Sequence, residues 1–527
     1  MRLATATTAA LLLVLCLPLT AGAELAAWFA PSASKIMRDA KPARTPAWDL
    51  AAARNEDEAC QLVLLSDEAL AGVRVTVSEL GHTRGKGSLR AAMNKVEYVP
   101  IKKENTPYPD PLPPLTDLDL SPNQAQPVWI TVRVPASAAP GTYKGTVRVQ
   151  SSAKSVELPL TVRVWDFALP ATPSCVTAFG MEAGHIATQH QVKRDSTELR
   201  KLYRKYYEFM LDRKCSPYSV GVDIDSELAM KYLSDPRVTS FMIPYSADDE
   251  TLRKSIKRVV DAGLLGKSYF YPIDEPARPE QIDELGKIAQ RVRGIEPNAR
   301  IVVPFDKNPP FDAKARMTDL MFGKVNVWCP GSWLWDDANV WFPERGKDTS
   351  LGATMDARRK AGDALWWYVC CNPGRPYANF WVDQSAATHR ILFWQQKMKG
   401  VQGILYWNVC WWEPNWGCPD PWKGLTTVTQ INPNIYGDGS LIYPGKQVGV
   451  DGPVSSVRLE VIRDGIEDFE YLTLADSRIG AGASAKYISR LARSLVDFDE
   501  DPAKIEQVRR ELGDAIEKAT IDARKRL

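Results

Sequence analysis

Hydrophobic and polar positions alternate with period two through the first third of the chain. Val128, Ile130, Val132 and Val134 fall on one face of a strand, and Trp129, Thr131 and Arg133 on the other. After the Pro140-Gly141 turn, Val147 and Val149 continue the alternation. Val156, Leu158, Leu160, Val162 and Val164 then alternate with Glu157, Thr161 and Arg163. This pattern predicts antiparallel strands with one buried face, so residues 24–170 read as a β-sandwich. Pro107 to Pro122 reads as a long loop, and Leu169-Pro-Ala-Thr-Pro173 as a linker.

After Pro173 short apolar runs alternate with helical stretches, the rhythm of βα units. Eight strands are predicted: Val176–Phe179, Tyr218–Val222, Ser240–Ile243, Tyr269–Ile273, Ile301–Pro304, Val325–Trp328, Leu365–Val369 and Ile404–Trp407. The helices between them include Ser196–Leu211, Glu227–Leu233, Asp249–Ala262, Pro279–Arg293, Ala313–Met321, Met355–Ala361 and Ala386–Lys399. Eight such units match a (β/α)8 TIM-type barrel over residues 174–475. The helix from Val457 to Leu474 is expected to close its outer ring. Residues 476–527 read as C-terminal helices, with an amphipathic one from Pro502 lying on the surface. The expected fold is therefore multidomain: an antiparallel β-sandwich, then the barrel, then the C-terminal helices.

One stretch carries chemistry on this frame. Lys267-Ser-Tyr-Phe-Tyr-Pro-Ile-Asp-Glu-Pro276 is a strand-like aromatic run ending in two adjacent acids, Asp274 and Glu275. Pro276 cannot donate a ladder bond, so the acids sit where the fourth strand stops. That is the catalytic face of a barrel. Acids just before a helix also serve as caps or dipole partners, which is the structural alternative.

Composition narrows the class. Arg2, the apolar run Leu11 to Leu19 and Ala21-Gly22-Ala23 read as an export signal over residues 1–23, placing the protein in the periplasm or outside the cell. No later apolar run is long enough to cross a membrane. A net charge of +2 with interspersed acids and bases gives no nucleic-acid footprint. Eight cysteines follow the leader, of which Cys410 and Cys418 are spaced for a small disulfide loop. Scattered histidines and the lack of paired CxxC motifs predict no metal, and no cofactor is expected. Oligomeric state is not legible.

Tryptophan is concentrated late: thirteen of seventeen lie between Trp328 and Trp422. Trp333, Trp335, Trp341, Trp411, Trp412, Trp416 and Trp422 fall in predicted loops among Gly, Pro, Asp and Asn. Flat aromatic faces stack on sugar rings while nearby carboxylates and amides take the hydroxyls, so a glycan or glycoconjugate is the expected substrate. A carboxylate at a barrel strand end beside a sugar cleft points to glycoside hydrolysis. Two neighbouring acids suit substrate assistance, in which the sugar's 2-acetamido oxygen attacks the anomeric carbon. One acid then orients the acetamido group and the other moves the proton.

Several motifs carry a family resemblance: Tyr271-Pro-Ile-Asp-Glu-Pro276, Trp366-Trp-Tyr368, Asn379-Phe-Trp-Val-Asp383, Arg390 with Trp394, Gly403-Ile-Leu-Tyr-Trp407, Tyr443-Pro-Gly445, and Arg458 with Arg463-Asp-Gly-Ile-Glu-Asp-Phe-Glu-Tyr-Leu472. In these the chain resembles glycoside hydrolase family 123, retaining β-N-acetylgalactosaminidases with an N-terminal β-sandwich and a barrel. The resemblance implies that Asp274 orients the acetamido group and that Glu275 is the general acid/base. Candidates for binding the sugar are Tyr368, Asn372, Asp383, Trp407, Asn408, Trp411, Glu413 and Trp335. Asp383 is read equally as the cap of the helix from Ala386, and Arg463 as pairing with acids to lock the closing helix. Two rivals stand. One is a two-carboxylate glycosidase with Asp306, Asp383 or Glu413 as nucleophile; the other is a non-catalytic glycan-binding protein.

Overall fold

The computed structural model describes residues 24–101, 107–152, 154–308, 316–336, 351–414, 416–427 and 435–526. The export signal expected over residues 1–23, the start of the helix expected at Ala313, and Trp341, expected in a loop, lie outside the described residues.

The N-terminal domain is β-rich, and its two sheets share one core. The first orders Leu25–Pro31, Glu56–Ser66, Gln126–Val134 and Ala91–Lys95, all antiparallel. The second runs Leu118–Leu120, Leu70–Val77, Gly141–Gln150, Ser155–Ala168 and Trp48–Arg54. Its last pair is parallel, a departure from the all-antiparallel expectation. Leu62, Leu64, Val128, Ile130 and Val132 of one sheet meet Val147, Val149, Leu158, Leu160 and Val162 of the other.

The alternation is real, but both faces of key strands are covered. Trp129, on the supposedly solvated face, packs with Ala386, Val457 and Val461 of the second domain. Trp165 and Phe167 do the same with Tyr471, Leu472 and Leu512. The second domain takes the place of solvent. The proline-rich stretch is not a plain loop either: Pro111–Leu112 pairs with Ser455 and Ser456. Proline is tolerated at such an edge because its missing N–H faces away from the ladder.

The second domain combines parallel strands with helices. Val176–Phe179, Gly403–Tyr406, Ala364–Tyr368, Val327–Pro330 and Val302–Phe305 form one parallel sheet in that order. Phe241–Met242 and Ser268–Tyr269 form a separate parallel pair. The second predicted strand, Tyr218–Val222, does not form a regular strand. Tyr218 nonetheless donates its N–H to Phe179 O at 3.0 Å, and its carbonyl accepts from Met242 N at 2.8 Å. At the other side, Phe270 N donates to Arg300 O at 2.8 Å. The run expected to extend to Ile273 stops pairing at Phe270, because Pro272 has no N–H to offer. Among the described residues no helix is long and apolar enough to cross a membrane.

Helix Val457–Arg478 is buried along every residue from Val457 to Leu472, charged ones included. Arg463 is paired with acids, as expected. Arg463 reaches Asp464 at 2.9 Å and Glu467 at 3.7 Å and also pairs with Glu460. Arg458 grips Asp110 of the N-terminal domain at 2.9 Å, both side chains being 0% exposed. The last helix, Pro502–Arg526, is not merely a surface layer. It sends Arg509 inward to Glu56, to Glu58 at 2.7 Å and to Asp468 at 3.2 Å. A charge that deep is tolerated only because several carboxylates surround it.

Removing one member of a fully buried pair strands the other. Asp110→Ala is expected to destabilise the protein by about 3–5 kcal/mol, whereas Glu157→Ala, in the exposed Arg148–Glu157 pair, changes stability by under about 1 kcal/mol. Denaturant midpoints of both variants check this; equal shifts would refute it.

Candidate active site

Asp274 and Glu275 project from the segment that follows the Ser268–Tyr269 strand. They do not cap the next helix. Helix Pro279–Ile295 is capped by Gln281, whose side-chain oxygen accepts from Ala277 N at 2.9 Å and Arg278 N at 3.1 Å. The capping half of the structural alternative is thereby removed.

The pair sits in two different environments. Asp274 is exposed, and its Oδ1 accepts from the Tyr271 hydroxyl at 2.6 Å. Glu275 is half-buried and accepts from the Tyr368 hydroxyl, at the end of the Ala364–Tyr368 strand. Its backbone lies in the left-handed region, φ 41°. Burial pushes the Glu275 carboxyl up to about 7. The Tyr368 hydroxyl opposes that rise, while Asp306 and Asp274 add to it. Tyr368 is itself buried, with Trp333 against its ring at 5.6 Å.

A second cluster forms around Trp407. Its ring nitrogen donates to both oxygens of Asp438, at 3.2 and 3.1 Å, and the Tyr406 hydroxyl donates to the same carboxylate at 3.0 Å. Burial pushes Asp438 up to about 6. Gly437 and Gly439 on either side have φ of 81° and 69°, and a Cβ on Gly439 would lie 2.3 Å from the Trp407 ring. Trp411 and Trp416 complete the cluster, with ring centroids 5.5 and 5.3 Å from Trp407. Trp416 is 40% exposed.

The other candidates divide. Tyr368, Trp407 and Trp411 stay in these clusters. Glu413 lies close enough to act electrostatically on His185, whose ring edges onto Trp411 at 4.9 Å. Asp383 is not the helix cap: Ser385 fills that role, accepting from Ala387 N. Lys35 of the N-terminal domain instead binds the carbonyls of Val382 and Gln384, on either side of Asp383. Asn372 is half-buried and its backbone carbonyl accepts from Cys370 N at 2.8 Å. Asn408 is buried, and its side-chain oxygen accepts from Cys410 N at 2.8 Å, which shapes the turn. Trp335 is 2% exposed, packed in the core with Trp333. Loop position did not mean open position, since Trp412 is buried as well.

Asp438 and Tyr271, which hold Trp407 and Asp274, are not among the residues expected to bind or react. An acid between two glycines reads as an ordinary turn, and the tyrosine as a strand residue. Cys410 and Cys418 are not joined. Cys418 Sγ donates to Gly424 O at 3.0 Å, while Cys410 Sγ faces Glu182. Among the described residues no His, Cys, Asp or Glu group is arranged to hold a metal. A hollow of about 510 Å³ lies between the domains, lined by Asp57, Arg133, Lys214, Arg237 and Glu467 and remote from the acid pair in sequence and lining.

Comparison with known proteins gives this arrangement a class. The family described as "Glycoside hydrolase 123, catalytic domain" matches residues 242–475, and "Glycoside hydrolase 123 N-terminal domain" matches residues 34–151. The chain is a glycoside hydrolase. It belongs to glycoside hydrolase family 123. A family 123 glycoside hydrolase from Clostridium perfringens, studied for glycolipid glycan hydrolysis, has a similar fold. Its TM-score is 0.72 at 13% identity, over 96% of this chain and 100% of that one. A β-glucuronidase of Parabacteroides merdae aligns at 10% identity over 79% of this chain and 50% of its own, with a TM-score of 0.30. That of Dictyoglomus thermophilum aligns at 10% over 84% and 68%, with a TM-score of 0.31. No curated protein matches.

The folded protein holds the Glu275 proton more tightly than an unfolded chain with the ordinary value of 4.5. This group therefore adds stability at acid pH that is lost as pH rises through about 7. Tyr368→Phe removes the donor that favours the carboxylate, so the loss moves to higher pH; Glu275→Gln abolishes it. Denaturation midpoints measured against pH test this, and an unmoved profile in Tyr368→Phe would uncouple the hydroxyl from the carboxyl.

Proposed function

We propose that this protein is an exported, retaining glycosidase that removes β-linked N-acetylhexosamine, preferentially N-acetylgalactosamine, by substrate assistance. Glycolipid glycans are the proposed source of that sugar, in keeping with the subject of the Clostridium perfringens structure. The catalytic domain is proposed to be a (β/α)8 barrel. The backbone contacts at Phe179, Tyr218, Met242 and Phe270 support closure between the parallel sheet and the separate pair. The signal-like composition of residues 1–23 supports export.

The observation that carries the reading is the contrast between the two neighbouring acids. Carboxylates in unlike environments take unlike roles. Glu275, half-buried and pushed up to about 7, keeps a large protonated fraction near neutrality and suits a general acid. Asp274, exposed and tied to Tyr271, suits a hydrogen-bond acceptor for the acetamido N–H. In the first step the acetamido oxygen bonds to the anomeric carbon, the glycosidic C–O bond breaks, and Glu275 gives its proton to the leaving oxygen. Asp274 meanwhile stabilises positive charge developing on the amide nitrogen. In the second step the Glu275 carboxylate takes a proton from water as its oxygen bonds to the anomeric carbon and the oxazoline ring opens. Two inversions give retention. Trp407, held by Asp438, supplies a flat wall for the sugar ring.

A two-carboxylate mechanism has one supporting feature. Asp306 acts electrostatically on both Glu275 and Tyr368, so a second acid is close by.

Hydrolysis of chromogenic N-acetylgalactosaminides is expected to need protonated Glu275, so kcat/KM falls as pH rises through about 7. Glu275→Gln should lower turnover by about 10²–10⁴-fold. Asp274→Asn should slow oxazoline formation with the fold intact, and a thiazoline analogue should inhibit. Full activity on sugars lacking the acetamido group, with no thiazoline inhibition, would overturn the assisted mechanism in favour of Asp306.

A further inference from the structure

Cys370 and Cys371 are neighbours in sequence, with sulfurs 3.7 Å apart. They are the two described cysteines that are partly exposed; Cys60, Cys175, Cys215, Cys329, Cys410 and Cys418 are all buried. They lie just beyond Tyr368, whose hydroxyl holds Glu275, and the Glu275 charge reaches the Cys370 thiol.

The peptide between the two cysteines also does structural work. Its carbonyl, that of Cys370, accepts from Asn379 Nδ2 and from Trp381 Nε1, each at 2.9 Å. These bonds hold the turn that leads to Asp383.

We propose that Cys370 and Cys371 form a redox-active vicinal dithiol at the rim of the active site, closed reversibly to a disulfide by exchange with a small-molecule or protein disulfide. The Cys371 thiolate attacks one sulfur of the oxidant, breaking its S–S bond, releasing one thiolate and leaving a mixed disulfide. Cys370 then loses its proton and attacks the Cys371 sulfur, releasing the second thiolate. Two S–H bonds and one external S–S bond are lost. One internal S–S bond and two external thiols are formed. The neighbouring sulfur and burial hold the Cys370 thiol well above its ordinary range, which makes it the resolving member of the pair.

Two physical consequences follow from adjacency. Consecutive Cα atoms lie about 3.8 Å apart, short of the usual disulfide span of roughly 4.4–6.8 Å, so the bond is strained. Strained disulfides are the readily reduced ones, which makes the change reversible. Closing the gap to about 2.05 Å must also twist the intervening peptide. That turns the Cys370 carbonyl away from Asn379 and Trp381 and disturbs the wall beside Tyr368. Oxidation therefore lowers turnover.

Full-length protein is treated with dithiodipyridine, then read by released pyridinethione, intact mass and peptide mapping. The expected result is two pyridinethiones released and two hydrogen atoms lost on the peptide carrying both cysteines, with no retained adduct. Turnover falls in the oxidised protein and returns with dithiothreitol. Cys371→Ser keeps the reduced-state activity and shows no loss of two hydrogens. A stable thiopyridyl adduct on the wild-type pair, or two cysteines that remain alkylatable, would overturn the dithiol. Disulfide formation without a change in turnover would overturn its coupling to the site. The turnover arm rests on the glycosidase reading given above; the mass arm does not, so failure of either is distinguishable.

Discussion

The geometry around the candidate site hangs on Arg458. Its guanidinium is enclosed, with Asp110 of the N-terminal domain on one side at 2.9 Å and the carbonyls of Gly437 and Ser440 on the other at 2.7 and 2.5 Å. Tyr443 donates to the same aspartate at 2.6 Å. Those two carbonyls bracket the turn that presents Asp438, and Asp438 holds Trp407. A residue of the β-rich domain thus fixes the Trp407 cluster of the other domain through one arginine and one turn. The planar fork of arginine is what makes this possible, because it offers donors in several fixed directions at once. A lysine there would keep the charge and lose the directions.

The same logic explains why the closing helix is so polar and yet so buried. A helix covered on all sides is normally apolar all round. This one carries Arg458, Glu460, Arg463, Asp464, Glu467, Asp468 and Glu470 into the interior. Well-packed apolar residues would often be at least as stabilising as such buried ions. Apolar surfaces slide, however, whereas Arg390 and Trp394 can meet Asp468 in only one register, at 2.6 and 2.8 Å. The charges define how two domains and the last helix sit against one another.

This arrangement also shows what the sequence could and could not disclose. Periods of two and of 3.6 residues located most strands and helices, since they are local properties. Which face of a strand meets solvent is not local. Trp129 and Trp165 lie on faces that alternation assigns to water, and only the docked catalytic domain makes them interior. The acid pair was visible because two carboxylates after an aromatic run break a pattern. Asp438 was hidden because Gly-Asp-Gly is what any tight turn looks like, and its importance lies in partners thirty residues away. Trp335 and Asn408 show the converse: residue types fit for sugar binding also serve to pack and to turn loops.

The last constraint is at Glu275 itself. Successive side chains on a strand point to opposite faces, so two adjacent carboxyls cannot both face one ligand while the strand continues. The chain resolves this by ending its ladder at Phe270 and turning Glu275 into the left-handed region at φ 41°. A non-glycine residue there carries a strain of roughly 1–3 kcal/mol. Glycine would relieve that strain but would remove the carboxyl. The strain is held in place by the Tyr368 hydroxyl from another strand and by Pro276, which keeps the helix from starting early. That a glutamate rather than a glycine occupies this backbone position is itself an argument that its carboxyl is what the turn was shaped to present.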